Sequence, residues 1–292
     1  MKRGDFSLVT ANDGHGTRVP SDWGDWLPRA VADATPDGVD LWYLGCNGFI
    51  LKASDGTTLF IDPYCGDGDP PRTRRMVPVP FDPNDVTECD GVLATHEHSD
   101  HVHGPTQRPI LGNTDASYYG PDDSVAVTES EGWADDEGID VDQFETVTEG
   151  DIFDIGAFTV HVEPARDPDA THPVSYVIDH ESGAFFHGGD ARSSEAFEAI
   201  GDEYEIDLAA LAFGSSGYLP DPEGGVMYKQ WYADENEITE AAAQLSPDRL
   251  LPTHWDIWKN LTADPTALRP HIRSFERPRA LELAEIGDRV EL

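Results

Sequence analysis

Residues 91–104 run GVLATHEHSDHVHG, an apolar stretch that passes directly into a loop dense in histidine. Gly91–Thr95 has the character of a buried strand. The six residues His96-Glu97-His98-Ser99-Asp100-His101 then supply three imidazoles and the Asp100 carboxylate. In an extended chain residues i and i+2 point the same way, so His96 and His98 can bind one metal ion together. Asp100 and His101, after the chain turns, reach a second. Nitrogen and oxygen donors of this kind suit zinc, manganese or iron. The competing reading is a polar surface loop in a chain with 11 histidines. Chance supplies a lone HxH, but seldom HxHxDH directly behind a buried strand.

Upstream, DLWYLG, GFILKAS and TTLFID read as strands, the latter two joined at Asp55-Gly56, a hairpin signal. Ser21 opens SDWGDWLPRAVADA, where Trp23, Trp26, Leu27, Ala30, Val31 and Ala34 fall at helical spacing and Pro28 fits only a first turn. Residues 66–84, rich in Gly, Pro, Asp and Arg, read as a long loop. Downstream, SVAVT, GAFTVHVE, VSYVID and GAFFHG read as strands, the last two linked through His180-Glu181-Ser182-Gly183. SSEAFEAIG is a short helix capped by Ser193 or Ser194. IDLAALAF and DRLLPTHWD are buried strands, and NEITEAAAQL is a helix with Ile238, Ala241, Ala242 and Leu245 on one face. DPTALRPHIRSF is a helix opened by Pro265, and ALELAEIGDRVEL closes the chain with strands. Hairpins and buried strands alternating with helices in both halves predict two packed sheets with helices outside. No repeat or linker divides the chain. A loose lead over residues 1–20 and a single domain over 21–292 are expected.

The chain has 292 residues, 38% of them hydrophobic, with 7 Trp, 9 Tyr and 12 Phe, which excludes a disordered acidic tail. Its longest apolar runs fall short of the ~18 residues of a membrane span. MKRGDFSLVTANDGHG lacks the apolar region of a secretory signal. Cys46, Cys65 and Cys89 form no CxxC, against a disulfide framework or a thiolate zinc site, and Cys46 and Cys65 read as small buried hydrophobes. A soluble cytoplasmic protein is expected.

HxHxDH resembles the signature of the metallo-β-lactamase fold superfamily. The resemblance implies an α/β, metallo-β-lactamase-like αββα four-layer sandwich, with further ligands on loops at strand ends. AFFHGGD (184–190) then places Asp190 at the bridging carboxylate, and RLLPTHWD (249–256) places His254 at the final histidine. Read alone, Asp190 also suits an N-cap for SSEAFEAIG, and His254 a polar residue beside a helix. The remaining ligand is expected at His172 in PARDPDATHP, just before VSYVID. The alternatives are Asp167 or Asp169 in that loop, and His161 on the polar face of its strand. His103, His187 and His271 read as ordinary polar or capping residues. From about residue 22 onward the chain is similar to the L-ascorbate-6-phosphate lactonase branch, through DWGDWL, LWYLGCNGFILK, ATHEHSDH, GDARSS and above all LPTHWDIWKNLTADP. In that last stretch Trp255, Asp256, Trp258 and Asn260 are not required by metal binding. The chain is shorter than that branch at its C-terminus and before HxHxDH, so reaction type transfers better than substrate.

The resemblance implies a lactonase with two divalent ions, zinc or manganese. His96, His98, His172 and Asp190 would hold one; Asp100, His101, Asp190 and His254 the other. Asp100 and His254 are the catalytic candidates, with Asp100 orienting the nucleophile and carrying its proton to the departing alkoxide. An anionic, phosphorylated lactone would suit Arg72, Arg74 and Arg75 of PPRTRRM and Arg192 behind Asp190. The alternative is that these arginines merely offset local acidity. A phosphodiesterase or ribonuclease on the same centre is the rival enzyme, and a non-catalytic metal-binding protein the rival class. No aromatic-plus-basic stretch is evident, so nucleic acid is not an expected partner; a homo-oligomer is implied by the resemblance.

The 57 Asp+Glu against 19 Lys+Arg give a formal charge of −38, spread along the whole chain. Self-repulsion of that size costs stability in dilute buffer, whereas at about 1 M salt the Debye length is about 3 Å and most of it is screened. A high-salt cytoplasm is the expected setting. Circular dichroism during dialysis to low salt should show unfolding; an unchanged spectrum and melting temperature there would contradict a halophilic origin.

Overall fold

The computed structural model describes residues 20–70, 73–221 and 223–292, so all but the last residue of the expected 1–20 lead lies outside them. Six strands build most of one sheet: β1 (Val39–Gly45), β2 (Gly48–Ala53), β3 (Thr58–Ile61), β4 (Gly91–Leu93), β5 (Ser117–Gly120) and β6 (Phe144–Thr146). A second sheet takes β7 (Ile152–Ile155), β8 (Phe158–Pro164), β9 (Val174–His180), β10 (Gly183–His187) and β11 (Leu208–Ala212). A separate hairpin follows, β12 (Ser216–Pro220) and β13 (Val226–Gln230), before β14 (Arg249–Thr253) and β15 (Ala280–Leu281) complete the second sheet. The final strand β16 (Arg289–Glu291) returns to the first sheet, antiparallel to β1.

Strand parity explains the layers. In β1, Val39, Leu41 and Tyr43 join Phe158, Val160, Tyr176 and Phe185 of the second sheet in one core between the sheets. Trp42 and Leu44, pointing the other way, pack with Leu27 and Val31 of α1 (Trp26–Asp33) and with Ile110 and Leu111 of α2 (Gly104–Asn113). Both faces of β1 and β2 are therefore covered, and every residue in them is buried. On the outer face of the second sheet, Val177, Phe186, Ala209 and Leu250 pack with Phe197 and Ile200, and with Ile238, Ala242 and Leu245. The result is the four-layer αββα sandwich that the resemblance implies. No helix among the described residues is long and apolar enough to cross a membrane.

Some elements depart from their expected form. SVAVT lies in α3 (Asp122–Ser130), not in a strand. Its valines alternate, but Pro121 precedes it and Asp122 and Asp123 occupy the first turn, where carboxylates favour the positive end of a helix. Ser194 does precede α4 (Glu195–Glu203), yet its hydroxyl makes no capping bond. The capping box is found instead at Asp234, which opens α5 (Glu235–Leu245).

Parallel pairing of β3 with β4, and of β11 with both β10 and β14, aligns their carboxyl ends at one edge of the molecule. That edge is where open α/β sheets place ligands. The core between the sheets holds it in register. Phe49 is fully buried there, with ring centroids 5.3 Å from both Tyr43 and Phe185. Phe49→Ala is expected to cost about 3–5 kcal/mol, read from urea unfolding in high salt.

Candidate metal centre

Four strand ends at this edge lead into the residues of the site. β3 ends into Asp62, β4 into Thr95–His101, β10 into Gly188-Gly189-Asp190 and β14 into His254. The backbone there is bent hard. Cys46, Asp62 and His254 have φ of +49°, +45° and +63°, a region that side-chain-bearing residues seldom adopt, and such strain gathers at functional sites. Gly189 is also left-handed, and a Cβ there would meet Thr95 Oγ1 at 2.8 Å. Glycine lets the Asp190 turn lie against the HxHxDH loop.

Two groups of donors result. In one, His96 Nε2 and His98 Nδ1 are 2.9 Å apart, with Asp167 Oδ2 at 3.6 and 3.7 Å from them and Asp190 Oδ2 3.9 Å from His96. In the other, His101 Nε2 lies 3.4 Å from Asp190 Oδ2, and His254 Nε2 lies 3.7 Å from Asp190 Oδ1 and 3.1 Å from Asp100 Oδ2. Asp190 belongs to both. His96, His98, Asp167 and Asp190 bring donor atoms within 4.8 Å of one another, as do His101, Asp190 and His254; Asp100 falls within that distance of His254 and Cys46, and each set has a spacing that could hold a metal ion. The nitrogen and oxygen donor set fits a borderline divalent cation. His101 Nε2 is buried without a well-formed hydrogen bond among the described residues, as a ring nitrogen kept for a cation would be.

The surroundings fix which ring nitrogen is offered. His101 Nδ1 pairs with Asp62 Oδ2 at 2.7 Å, leaving Nε2 facing inward. Asp62 is itself held by the Thr95 amide and hydroxyl, at 2.9 and 2.7 Å. His98 Nε2 reaches the Asp169 carbonyl at 3.1 Å, which leaves Nδ1 beside His96. Such partners orient ligands and set their basicity. Asn47 ties the floor together: its Nδ2 donates to Asp190 Oδ1, its Oδ1 accepts from Thr253 Oγ1, and its carbonyl meets His187 Nε2 at 2.7 Å.

Charge is concentrated here. Burial, reinforced by His101, pushes His96 down to about 3. Burial opposes the charged form of His101 as well, but Asp62, Asp190 and Asp100 outweigh it and raise that group well above its usual value. Burial also works against Asp100, yet His101 and His254 hold it down at about 2. Asp167 is raised, by burial and then by Asp190.

His96, His98, Asp100, His101, Asp190 and His254 lie together at this edge, and His172 lies apart from them. Its side chain is 75% exposed and pairs with Asp123 at 2.6 Å. Asp167, from the same loop, turns inward in its place, 7% exposed. The loop is pinned for this by Thr171, whose amide and hydroxyl donate to Glu97 Oε1 at 2.9 and 2.8 Å, which sends the next residue outward. His161, in β8, meets the Tyr204 ring edge-on at 5.1 Å and belongs to neither donor group. His103 pairs with Thr106 Oγ1 at 2.7 Å, and burial lowers it to about 4.

The expected phosphate-binding arginines are engaged elsewhere. Arg75 donates to the carbonyls of Tyr64, Val77 and Pro78, because the loop it crosses has no strand partner for them. Arg192 Nη2 donates to the carbonyls of Gln230 and Trp231 at 2.8 and 2.9 Å. Arg74 is exposed and does not line the cleft, and Arg72 lies outside the described residues. The cleft over the donors has a volume of about 360 Å³, with Tyr64, Trp231, Tyr232 and Trp258 as aromatic walls. Its basic side chain is Lys229, a residue with no sequence motif to mark it, 3.3 Å from Asp169.

Two variants test the donor assignment through metal content in high salt. Asp190→Asn removes the shared anionic charge and should expel at least one ion per folded chain. Asp167→Asn should weaken binding at the His96–His98 group, while His172→Ala should leave content unchanged. Metal loss in His172→Ala with none in Asp167→Asn would reverse the assignment.

A β-lactamase superfamily domain matches residues 57–255 of the chain. A probable L-ascorbate-6-phosphate lactonase of Salmonella paratyphi B is 27% identical over 293 residues, covering 85% of this chain and 78% of the relative. Among solved structures, Igni18, a metallo hydrolase of Ignicoccus hospitalis, superposes with a TM-score of 0.63 at 20% identity, over 86% of this chain and 97% of its own. The metallo-β-lactamase fold protein YhfI of Bacillus subtilis gives a TM-score of 0.60 at 17% identity, over 87% of this chain and 100% of its own. With the domain matched across both halves of the donor cluster, the chain belongs to the β-lactamase superfamily, as a metal-dependent hydrolase of the metallo-β-lactamase fold.

Proposed function

We propose that the protein is a lactonase that opens a small lactone bearing an anionic group, using two divalent ions, zinc or manganese. The observation that carries the reading is the sharing of Asp190 between both donor groups, at the floor of a cleft sized for a small molecule. The lactonase relative supports the reaction class. Ions bound there would polarise the ester carbonyl and lower the pKa of water.

The protein's own groups do the rest. Asp100, beside His254 and lining the cleft, is ionised and placed to accept a proton from the attacking water and return it to the ring oxygen that departs. His96, His98 and Asp167 hold one side of the centre; His101 and His254 hold the other. Tyr64, Trp231 and Trp258 give the cleft aromatic walls against which a small ring can pack. Lys229 supplies a cation for the anionic group. The acidic lining, with Asp69 and Asp169 at the cleft, opposes a polyanion such as RNA.

The test is turnover by zinc- and manganese-loaded protein in high salt, assayed against lactones with and without a phosphate, phosphodiesters and RNA. Lactone opening with two ions per chain is expected. Cleavage of phosphodiesters or RNA alone would replace the reading with a phosphodiesterase. A fully loaded protein inert on the whole panel would point to a non-catalytic metal-binding role.

A further inference from the structure

We propose that Tyr232 is a further catalytic residue, donating its phenolic O–H to the carbonyl oxygen of the bound ester as that oxygen gains negative charge. The inference rests on the hydrolase reading above but adds a residue that no motif marks. Tyr232 is 5% exposed and lines the cleft with Asp100 and Asp190. Its hydroxyl lies 2.8 Å from His254 Nε2, and its ring stacks on that imidazole at 4.1 Å and 30°.

One lone pair decides what the hydroxyl does. A neutral imidazole offers a single acceptor nitrogen. Where His254 Nε2 serves as a ligand, that pair is committed, and the phenol proton must find another acceptor. The cleft that Tyr232 lines puts a substrate oxygen within its reach, and the Asp100 carboxylate beside His254 is engaged with the attacking water in the reaction proposed above. Two other hydroxyls of the lining, those of Tyr64 and Thr73, are engaged with backbone amides. Tyr64 Oη accepts from the Gly68 amide at 2.8 Å, and Thr73 Oγ1 accepts from the Asp69 amide at 2.7 Å, both within the 64–73 loop.

Tyr232 is also held rigidly, which an oxyanion donor needs because reorganisation during the reaction would cancel its effect. Arg192 grips the carbonyls of Gln230 and Trp231 on the N-terminal side. Gln230 Nε2 donates to the Tyr232 carbonyl at 3.3 Å and to Glu237 Oε2 at 3.1 Å, tying the segment to α5. The Gly214 amide donates to the Ala233 carbonyl at 2.9 Å. Through the Gln230 and Trp231 carbonyls, Arg192 holds the segment that carries Tyr232.

The step balances without a further reagent. The oxygen of water bonds to the carbonyl carbon, and the π pair moves onto the carbonyl oxygen, which takes the Tyr232 hydrogen bond. That pair then re-forms the C=O bond as the ring C–O bond breaks. The departing alkoxide receives the proton that water gave to Asp100. Tyr232 keeps its own proton throughout.

Zinc-loaded wild type and Tyr232→Phe, compared in high salt, test this with dihydrocoumarin as the lactone and phenylphosphonate as a charged tetrahedral mimic. Expected for Tyr232→Phe are unchanged metal content, kcat lower by about 10²–10³-fold with little change in KM, and a parallel loss of phenylphosphonate affinity by Trp fluorescence. Wild-type kcat and affinity would overturn the proposal. Loss of metal in step with kcat would also overturn it, by showing that Tyr232 merely braces His254. If the wild type opens no lactone, the lactonase reading falls, and phosphonate binding still decides: weaker binding by Tyr232→Phe supports the donor, while equal binding or none by either protein overturns it.

Discussion

Four carboxylates meet at one edge of the sandwich, and their mutual repulsion is the constraint on which the rest of the site depends. Asp62 is fully buried, Asp167 and Asp190 are 7% exposed, and Asp100 is 16% exposed. Charges so removed from water cost several kcal/mol each unless closely paired. His101 answers the repulsion in part, raised by Asp62, Asp190 and Asp100 together. The remaining carboxylate charge, with His96 held neutral beside it, calls for cations. The metal-binding reading thus follows from charge balance as well as from the spacing of HxHxDH.

Holding these groups together demands a frame that does not yield. The two sheets supply it through the core around Phe49 and Phe185, while Asn47 in the β1–β2 turn reaches across to Asp190 and Thr253. Left-handed backbone at Cys46, Asp62 and His254 is tolerated because neighbours over-determine it. The His254 amide, for example, donates to the Cys46 carbonyl at 3.0 Å, and Ser215 Oγ donates to the His254 carbonyl at 2.7 Å. Strain that would be costly on a surface loop is fixed here by pairing both ends of each bend.

What could be read from the sequence follows from the same physics. Asp190 and His254 were legible because each directly follows an apolar strand whose end is set by pairing, so a short offset in sequence is a short offset in space. The choice between His172 and Asp167 was not. Both lie in one nine-residue loop between β8 and β9, and only long-range bonds from Thr171 to Glu97 and from His98 to Asp169 decide which side chain turns inward. SVAVT misled because alternating valines suit a strand, whereas its acidic start and its packing against the first sheet make a helix. Lys229, and Tyr232 just beyond its hairpin, have no pattern to mark them for a related reason: the hairpin carries exposed Tyr218, Val226 and Tyr228 and gives no buried alternation.

The use of basic residues bears on how so acidic a chain handles an anion. Arg108 pairs with Asp136, Arg289 with Asp40 and Lys52 with Glu88, while Arg75 and Arg192 serve backbone carbonyls. With these cations committed to the scaffold, little fixed positive charge is left for the cleft. Lys229 is there, but Asp169 stands 3.3 Å from it. On the lactonase reading, attraction for an anionic substrate falls chiefly to the ions at the floor. Affinity for such a substrate is then tied to metal occupancy, because the groups that bind the ions are the same carboxylates that would otherwise repel it.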